Sequence, residues 1–179
     1  RSRLRRFWPY LAAGGGYLGL TAIAVHPLLA QLSSAIVGVA GENADFVQFY
    51  WNIWWFQHAI FQLGRDPYYT NYILFPYTLN LAYHTFTPLL NILALPIYAT
   101  LGLAASLNSW IVWGLVFNGL AMFAFLRHHR IAPGLAFLGG ALFAFTSATT
   151  SRVAFVHLSM VPNGWLPLSL LAWDWLIER

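Results

Sequence analysis

Residues 41–76 read GENADFVQFYWNIWWFQHAIFQLGRDPYYTNYILFP: acids, amides, a histidine and a dense aromatic run, set between apolar segments long enough to cross a bilayer. A segment that only had to fill a membrane has no need of that mixture, since each polar group in hydrocarbon costs free energy unless partnered. The whole chain of 179 residues is 59% hydrophobic, 18% aromatic and 8% charged, with mean hydropathy +0.61. Soluble domains carry about 25% charged residues. So few polar side chains cannot coat a water-soluble particle, and the expected fold class is all-α, a polytopic transmembrane helical bundle.

Runs of about 20 apolar residues, the length of a span, occur at 7–32, 107–126, 131–149 and 160–177. A fifth run, 86–103, is interrupted by Pro88 and Pro96. All nine basic residues are arginines, the formal charge is +4 and the pI is near 9.7. The arginines sit at the ends of apolar runs, which argues for membrane orientation and against a nucleic-acid partner. Arg1, Arg3, Arg5 and Arg6 precede the first run and hold the N-terminus in the cytoplasm. A signal peptide cleaved near Gly38-Val39-Ala40 is the rival reading, and the long apolar stretch and the later spans weigh against it. There is no Cys, hence no disulfide framework, thiol nucleophile or thiolate metal site. The chain opens on Arg1 and stops at Glu178-Arg179 just after an apolar run, so it reads as the N-terminal part of a longer protein.

Parity of the spans selects a topology. If 86–103 crossed and 46–63 did not, the Arg127–Arg130 turn would lie outside, against the orientation bias. If both stay at the outer interface, seven of the nine arginines lie inside, leaving Arg65 and Arg152 outside. That gives four spans and an external loop over 33–106. Parity equally admits six spans, with both segments crossing. At 100° per residue, Asp45, Gln48, Asn52, His58 and Gln62 share an arc of roughly 140°, and Trp and Tyr rings favour the headgroup level. Segment 46–63 is therefore expected to be an interfacial helix, the alternative being a span whose polar face packs on another helix.

Asp45 is the first candidate for chemistry, as the acid opening that helix, although an N-cap role is its simplest reading. Glu42 is a candidate second acid or metal ligand, and otherwise an exposed loop residue. Asp66, in Gly64-Arg65-Asp66-Pro67, reads first as turn chemistry. His84 and His157 fall on the external side, where a histidine can serve as base, phosphate contact or ligand. Arg152 is there against the orientation bias, and its guanidinium fork suits a phosphate diester. Asn52 and His58 are possible site-lining residues. His26, Asn118 and Asp174 read as packing or snorkelling positions, His128 and His129 as solvated. Gly14–Gly16, Gly19 and Gly139-Gly140 suit close helix approach. The sequence has no Walker loop, GxGxxG, HExxH or GxSxG.

Several blocks, in order, carry a resemblance: Asp45 with Trp51-Asn52-Ile53-Trp54-Trp55 and His58-Ala59; Gly64-Arg65-Asp66-Pro67-Tyr68-Tyr69-Thr70; and Leu74-Phe75-Pro76, which many relatives continue with Gly where this chain has Tyr77. Then come His84, Pro88-Leu89-Leu90, Pro96, Gly102, Asn108, Arg127, the stretch 139–145, the stretch 152–158, and Trp165-Leu166-Pro167-Leu168. This arrangement resembles the bacterial branch of the polytopic membrane glycosyltransferases of the GT-C fold. The resemblance implies an enzyme of the bacterial plasma membrane that transfers a sugar from a polyprenyl-phosphate donor to an acceptor on the extracytoplasmic face. It implies a catalytic acid at Asp45 and a donor phosphate met by Arg152 with His157, with a divalent metal as a candidate cofactor. Many relatives carry a second acid in the next external loop, where this chain has Arg152 and His157. The competing readings are a non-catalytic membrane assembly protein that binds lipid through the aromatic helix, and a lipid or solute transporter using His26 and Asn118.

Overall fold

The computed structural model describes residues 2–37 and 45–178, with side chains from 7 onward in the first stretch and from 46 onward in the second. The described residues are mostly helical, with little strand, in agreement with the expected all-α class. The helices are α1 (Ser2–Ala24), α2 (His26–Ala30), α3 (Asp45–Gln57), α4 (Pro88–His128), α5 (Pro133–Ala144), α6 (Ser147–Ala154) and α7 (Trp165–Ile177). Between α3 and α4 lies a two-stranded antiparallel ladder of β1 (Tyr69–Thr70) and β2 (Leu79–Asn80), with Tyr69 opposite Asn80.

Several boundaries differ from the sequence expectation, each for a local reason. The run 7–32 is not one helix: it breaks at Val25, before the His26-Pro27 start of α2. The run 131–149 breaks after Ala144, where Thr146 caps α6 by accepting from the Thr149 amide. The run 160–177 becomes helical only at Trp165, because Pro162 and Gly164 precede it, and its 13 residues span about 20 Å. In 86–103 the prolines do not break the helix. Pro88 occupies its first turn, where the missing N–H costs nothing, and Pro96 is accommodated inside. The break falls at Gly102, whose φ of 85° and ψ of −177° lie in a region open to glycine alone. Gly102 thus divides α4 into 88–101 and 103–128.

Among the described residues two helices are long and apolar enough to cross a membrane, Pro88–His128 and the stretch Pro133–Ala154 taken across its break. The outward faces of α1, α5 and α7 are apolar too, with Leu11, Ile23, Leu135, Leu142 (75% exposed), Leu170 and Trp173 uncovered. A helix of a soluble domain puts polar residues there.

The bundle is centred on α4, against which α1, α3, α5 and α7 pack. Tyr17 of α1 is buried where α1, α4 and α5 meet, its ring stacked on Phe137 (4.7 Å, 15°) and its hydroxyl donating to the Phe137 carbonyl (3.0 Å). Gly119 and Gly140 make that space, since a Cβ at either would overlap the Tyr17 ring. Gly16 likewise faces the Phe137 ring, whereas Gly15 and Gly19 face open space, so close approach explains only part of the glycine cluster.

Two ends of the bundle are distinguishable. At one, Pro9 and Tyr10 of α1, Arg127 and His128 of α4, and Leu171 and Trp175 of α7 line a cavity of about 400 Å³. There His129 Nε2 lies 3.0 Å from Asp174 and His128 Nε2 lies 3.5 Å from Glu178. His129 is exposed, as the sequence reading had it, and His128 partly so; both face carboxylates at the C-terminal end of α7 and just beyond it. At the other end, Asn108 Nδ2 donates to the carbonyls of Leu32 (2.8 Å) and Ala35 (2.7 Å), tying the chain beyond α2 to α4.

Candidate functional site

Of the candidate acids, Glu42 and the side chain of Asp45 lie outside the described residues; the Asp45 backbone opens α3. What α3 presents next is described fully. Gln48, one turn beyond Asp45 and on its face, brings Nε2 to 3.5 Å from His84 Nδ1, the long limit of a hydrogen bond. One turn further, Asn52 is fully buried and donates through Nδ2 to the Thr85 carbonyl at 2.8 Å. Residues 84 and 85, just ahead of α4, are thus held beside the first half of α3.

This changes the reading of α3. Its polar arc does not simply face water: Asn52 lies among Phe49, Ile53 and Phe56 on the side packed toward α4. The helix is amphipathic by wheel, but two of its amides are used in holding residues 84 and 85, in the loop ahead of α4.

Arg152 and His157 come from α6 and the turn after it. Arg152 Nη1 donates to the Met160 carbonyl at 3.0 Å, closing that turn. His157 is exposed and follows Val156, a non-glycine residue at φ 61°. The flanking apolar residues Val153, Val156 and Leu158 belong to the same packed cluster as Phe46, Phe49 and Tyr50 of α3, with Ile36 and Val37. The apolar neighbours of Arg152 and His157 and those of the opening turns of α3 thus belong to one cluster built around α4, although about a hundred residues separate them in sequence. Val153 also closes an apolar groove of about 340 Å³ with Val25, Leu28, Ile36 and Val37.

Two candidates fall elsewhere. His58 follows Asp45 by 13 helical positions, a rise of about 20 Å. Asp66 accepts from the Tyr68 amide at 2.9 Å, a side-chain-to-backbone turn as its Asp-Pro context implied. Asn118 is structural, as expected: buried in α4, it donates to the Val161 carbonyl (2.8 Å) and accepts from the amides of Asn163 and Gly164 (both 2.7 Å). His26 is exposed, with Nδ1 3.3 Å from the Ile23 carbonyl. Among the described residues no group of three His, Asp or Glu could hold a metal ion.

Sequence reasoning missed Asn91, fully buried in the first half of α4 with neither amide atom partnered. An amide inside the apolar run 88–97 is the signal that marks it. It also missed Tyr72, whose hydroxyl lies 3.2 Å from His58 Nε2. No local pattern links those two, because the loop after α3 brings them together. No family model, curated protein or solved structure matches this chain.

Proposed function

We propose that this chain is the membrane domain of a polytopic glycosyltransferase of the GT-C type, which takes a sugar from a polyprenyl-phosphate donor at the outer face of the membrane. The observation that carries the reading is that three separate segments share or adjoin one apolar cluster built on α4. They are the start of α3 behind Asp45, His84 against Gln48, and the Arg152–His157 turn packed through Val153 and Val156. Transfer from a sugar phosphate needs a base near the acceptor hydroxyl and positive charge near the leaving phosphate. Asp45 takes the first role, and Arg152 with His157 the second. His84 stands against Gln48, one helical turn along α3 from Asp45, and the apolar groove at Val153 suits the start of a lipid tail.

In this reading α1, the 103–128 part of α4, the 133–154 stretch and α7 cross the bilayer, with α7 the shortest. Asn52 ties residue 85 to the middle of α3, which favours four spans, with 46–63 and 86–103 on the outer side. The test is loss of label from radiolabelled polyprenyl-phosphate sugars, using the protein in membranes. Asp45→Asn is expected to abolish turnover while leaving expression and insertion intact. Full turnover in that variant would remove Asp45 from the mechanism.

A further inference from the structure

At the far end of α3 the backbone changes from α to a single π turn, His58–Gln62, in which the Leu63 amide bonds to the His58 carbonyl (3.1 Å). Such turns are rare and concentrate at functional sites. This one sets His58 Nδ1 2.6 Å from Gln62 Oε1, while His58 Nε2 lies 3.2 Å from the Tyr72 hydroxyl. With the Gln62 amide turned oxygen-first to Nδ1, the tautomer that satisfies both contacts has the ring proton on Nδ1 and offers the Nε2 lone pair to the Tyr72 O–H. The result is an amide–imidazole–phenol chain in which a base, oriented by a third group, faces a hydroxyl. The rings are held as well. His58 stacks on Trp54 (4.9 Å, 13°), and Tyr72 leans on Trp54 and Trp55 at centroid distances of 6.1 and 5.0 Å. Tyr72 is 52% exposed, so its hydroxyl is reachable from solvent.

We infer that Tyr72 and His58 form a second proton-transfer site, distinct from Asp45 and taking an alcohol, sugar hydroxyls included, as its ligand. The proton of the bound hydroxyl passes to the Tyr72 oxygen as the phenolic proton moves to His58 Nε2, leaving an activated oxygen and an imidazolium. Gln62 is a positioning residue that fixes the tautomer. The inference stands on the geometry of 54–72 alone and does not rest on the glycosyltransferase reading.

An aryl sulfonyl fluoride tests it without any enzymatic assay. Sulfonylation forms an S–O bond at the tyrosine, breaks the S–F bond with loss of fluoride, and sends the phenolic proton to the neighbouring base. Labelling of the full chain is followed residue by residue by mass spectrometry. Tyr69 (51% exposed) and Tyr83 (94% exposed) serve as references in the same molecule. Tyr72 is expected to react about tenfold faster than both, a modest share of the roughly 10²-fold or more that a positioned general base supplies. His58→Phe keeps a flat ring against Trp54 and should bring Tyr72 down to the reference rate. Gln62→Leu should slow it several-fold with Tyr69 and Tyr83 unchanged. If His58→Phe alters the reference rates, the exposed Gln62 position decides. A wild-type Tyr72 no faster than Tyr69 and Tyr83, or a fast Tyr72 indifferent to Gln62→Leu, would overturn the site. Methyl glycosides should slow Tyr72 selectively; failure of a full panel to do so would overturn the alcohol assignment.

Discussion

Asn118→Ala is the substitution whose cost the structure fixes most closely. The wild-type side chain sits fully buried in the middle of α4 and meets α7 where that helix begins. It makes three hydrogen bonds, one to the Val161 carbonyl and two from the Asn163 and Gly164 amides. Truncation leaves all three partners unserved in a site that offers no replacement. On the scale of soluble cores, each unsatisfied buried group costs about 1–3 kcal/mol, about 3–9 in all. Between helices in a membrane the average is about 0.6 kcal/mol per bond and the upper value about 1.7, which gives about 2–5. The lower scale applies, because Asn118 lies in a proposed span. We expect Asn118→Ala to destabilise by about 2–5 kcal/mol in denaturation titrations in mixed micelles, with faster amide exchange over 163–168. The control is Ser169→Ala, an exposed hydroxyl bonded only to the Leu166 carbonyl, which should stay within about 0.5 kcal/mol of wild type. A shift for Asn118→Ala no larger than the control's would refute the view that this amide fastens α7 to α4.

Gly119→Ala should cost about 1–3 kcal/mol by overpacking, because its Cβ would lie 2.7 Å from the Tyr17 ring. Gly15→Ala, with nothing within 4 Å of the new Cβ, should be neutral or stabilising by up to about 1 kcal/mol through helix propensity; the same titrations measure both. Gly102→Ala should destabilise by about 1–3 kcal/mol through added backbone strain, since its φ is 85°, and spin-label distances between 88–101 and 103–128 would report any straightening. Arg152→Ala should weaken binding of a polyprenyl-phosphate sugar in equilibrium binding to membranes, and an unchanged affinity would count against its phosphate role.

The helical class was legible because apolar runs and their arginine ends dominate the sequence, and the described helices fall largely within those runs. What periodicity could not supply is the surroundings of a face. The wheel grouped Asn52 with Gln48 correctly but did not reveal that Asn52 meets the Thr85 carbonyl in the core. The prolines of 86–103 drew attention away from Gly102, because a proline announces itself in any context and a glycine matters only where φ turns positive. The link between α3 and the Arg152 turn depends on apolar neighbours, Val153 and Val156, that carry no sequence signal of their own. The His58–Tyr72 pairing depends on a loop path, and the boundary of α7 on an amide donated by α4.

The account depends most on residues 84–87 and the Arg152 turn facing the same side of the membrane, opposite Arg130. The chain contains no cysteine, so single substitutions at exposed Thr85, Ser151 and Arg130 can be labelled individually with an impermeant maleimide. The measurement is made on intact cells. The four-span arrangement predicts labelling of Thr85→Cys and Ser151→Cys from outside, and of Arg130→Cys only after permeabilisation. Protection of Thr85→Cys with labelling of Ser151→Cys would mean that 46–63 and 86–103 both cross, and would separate His84 from the Arg152 turn.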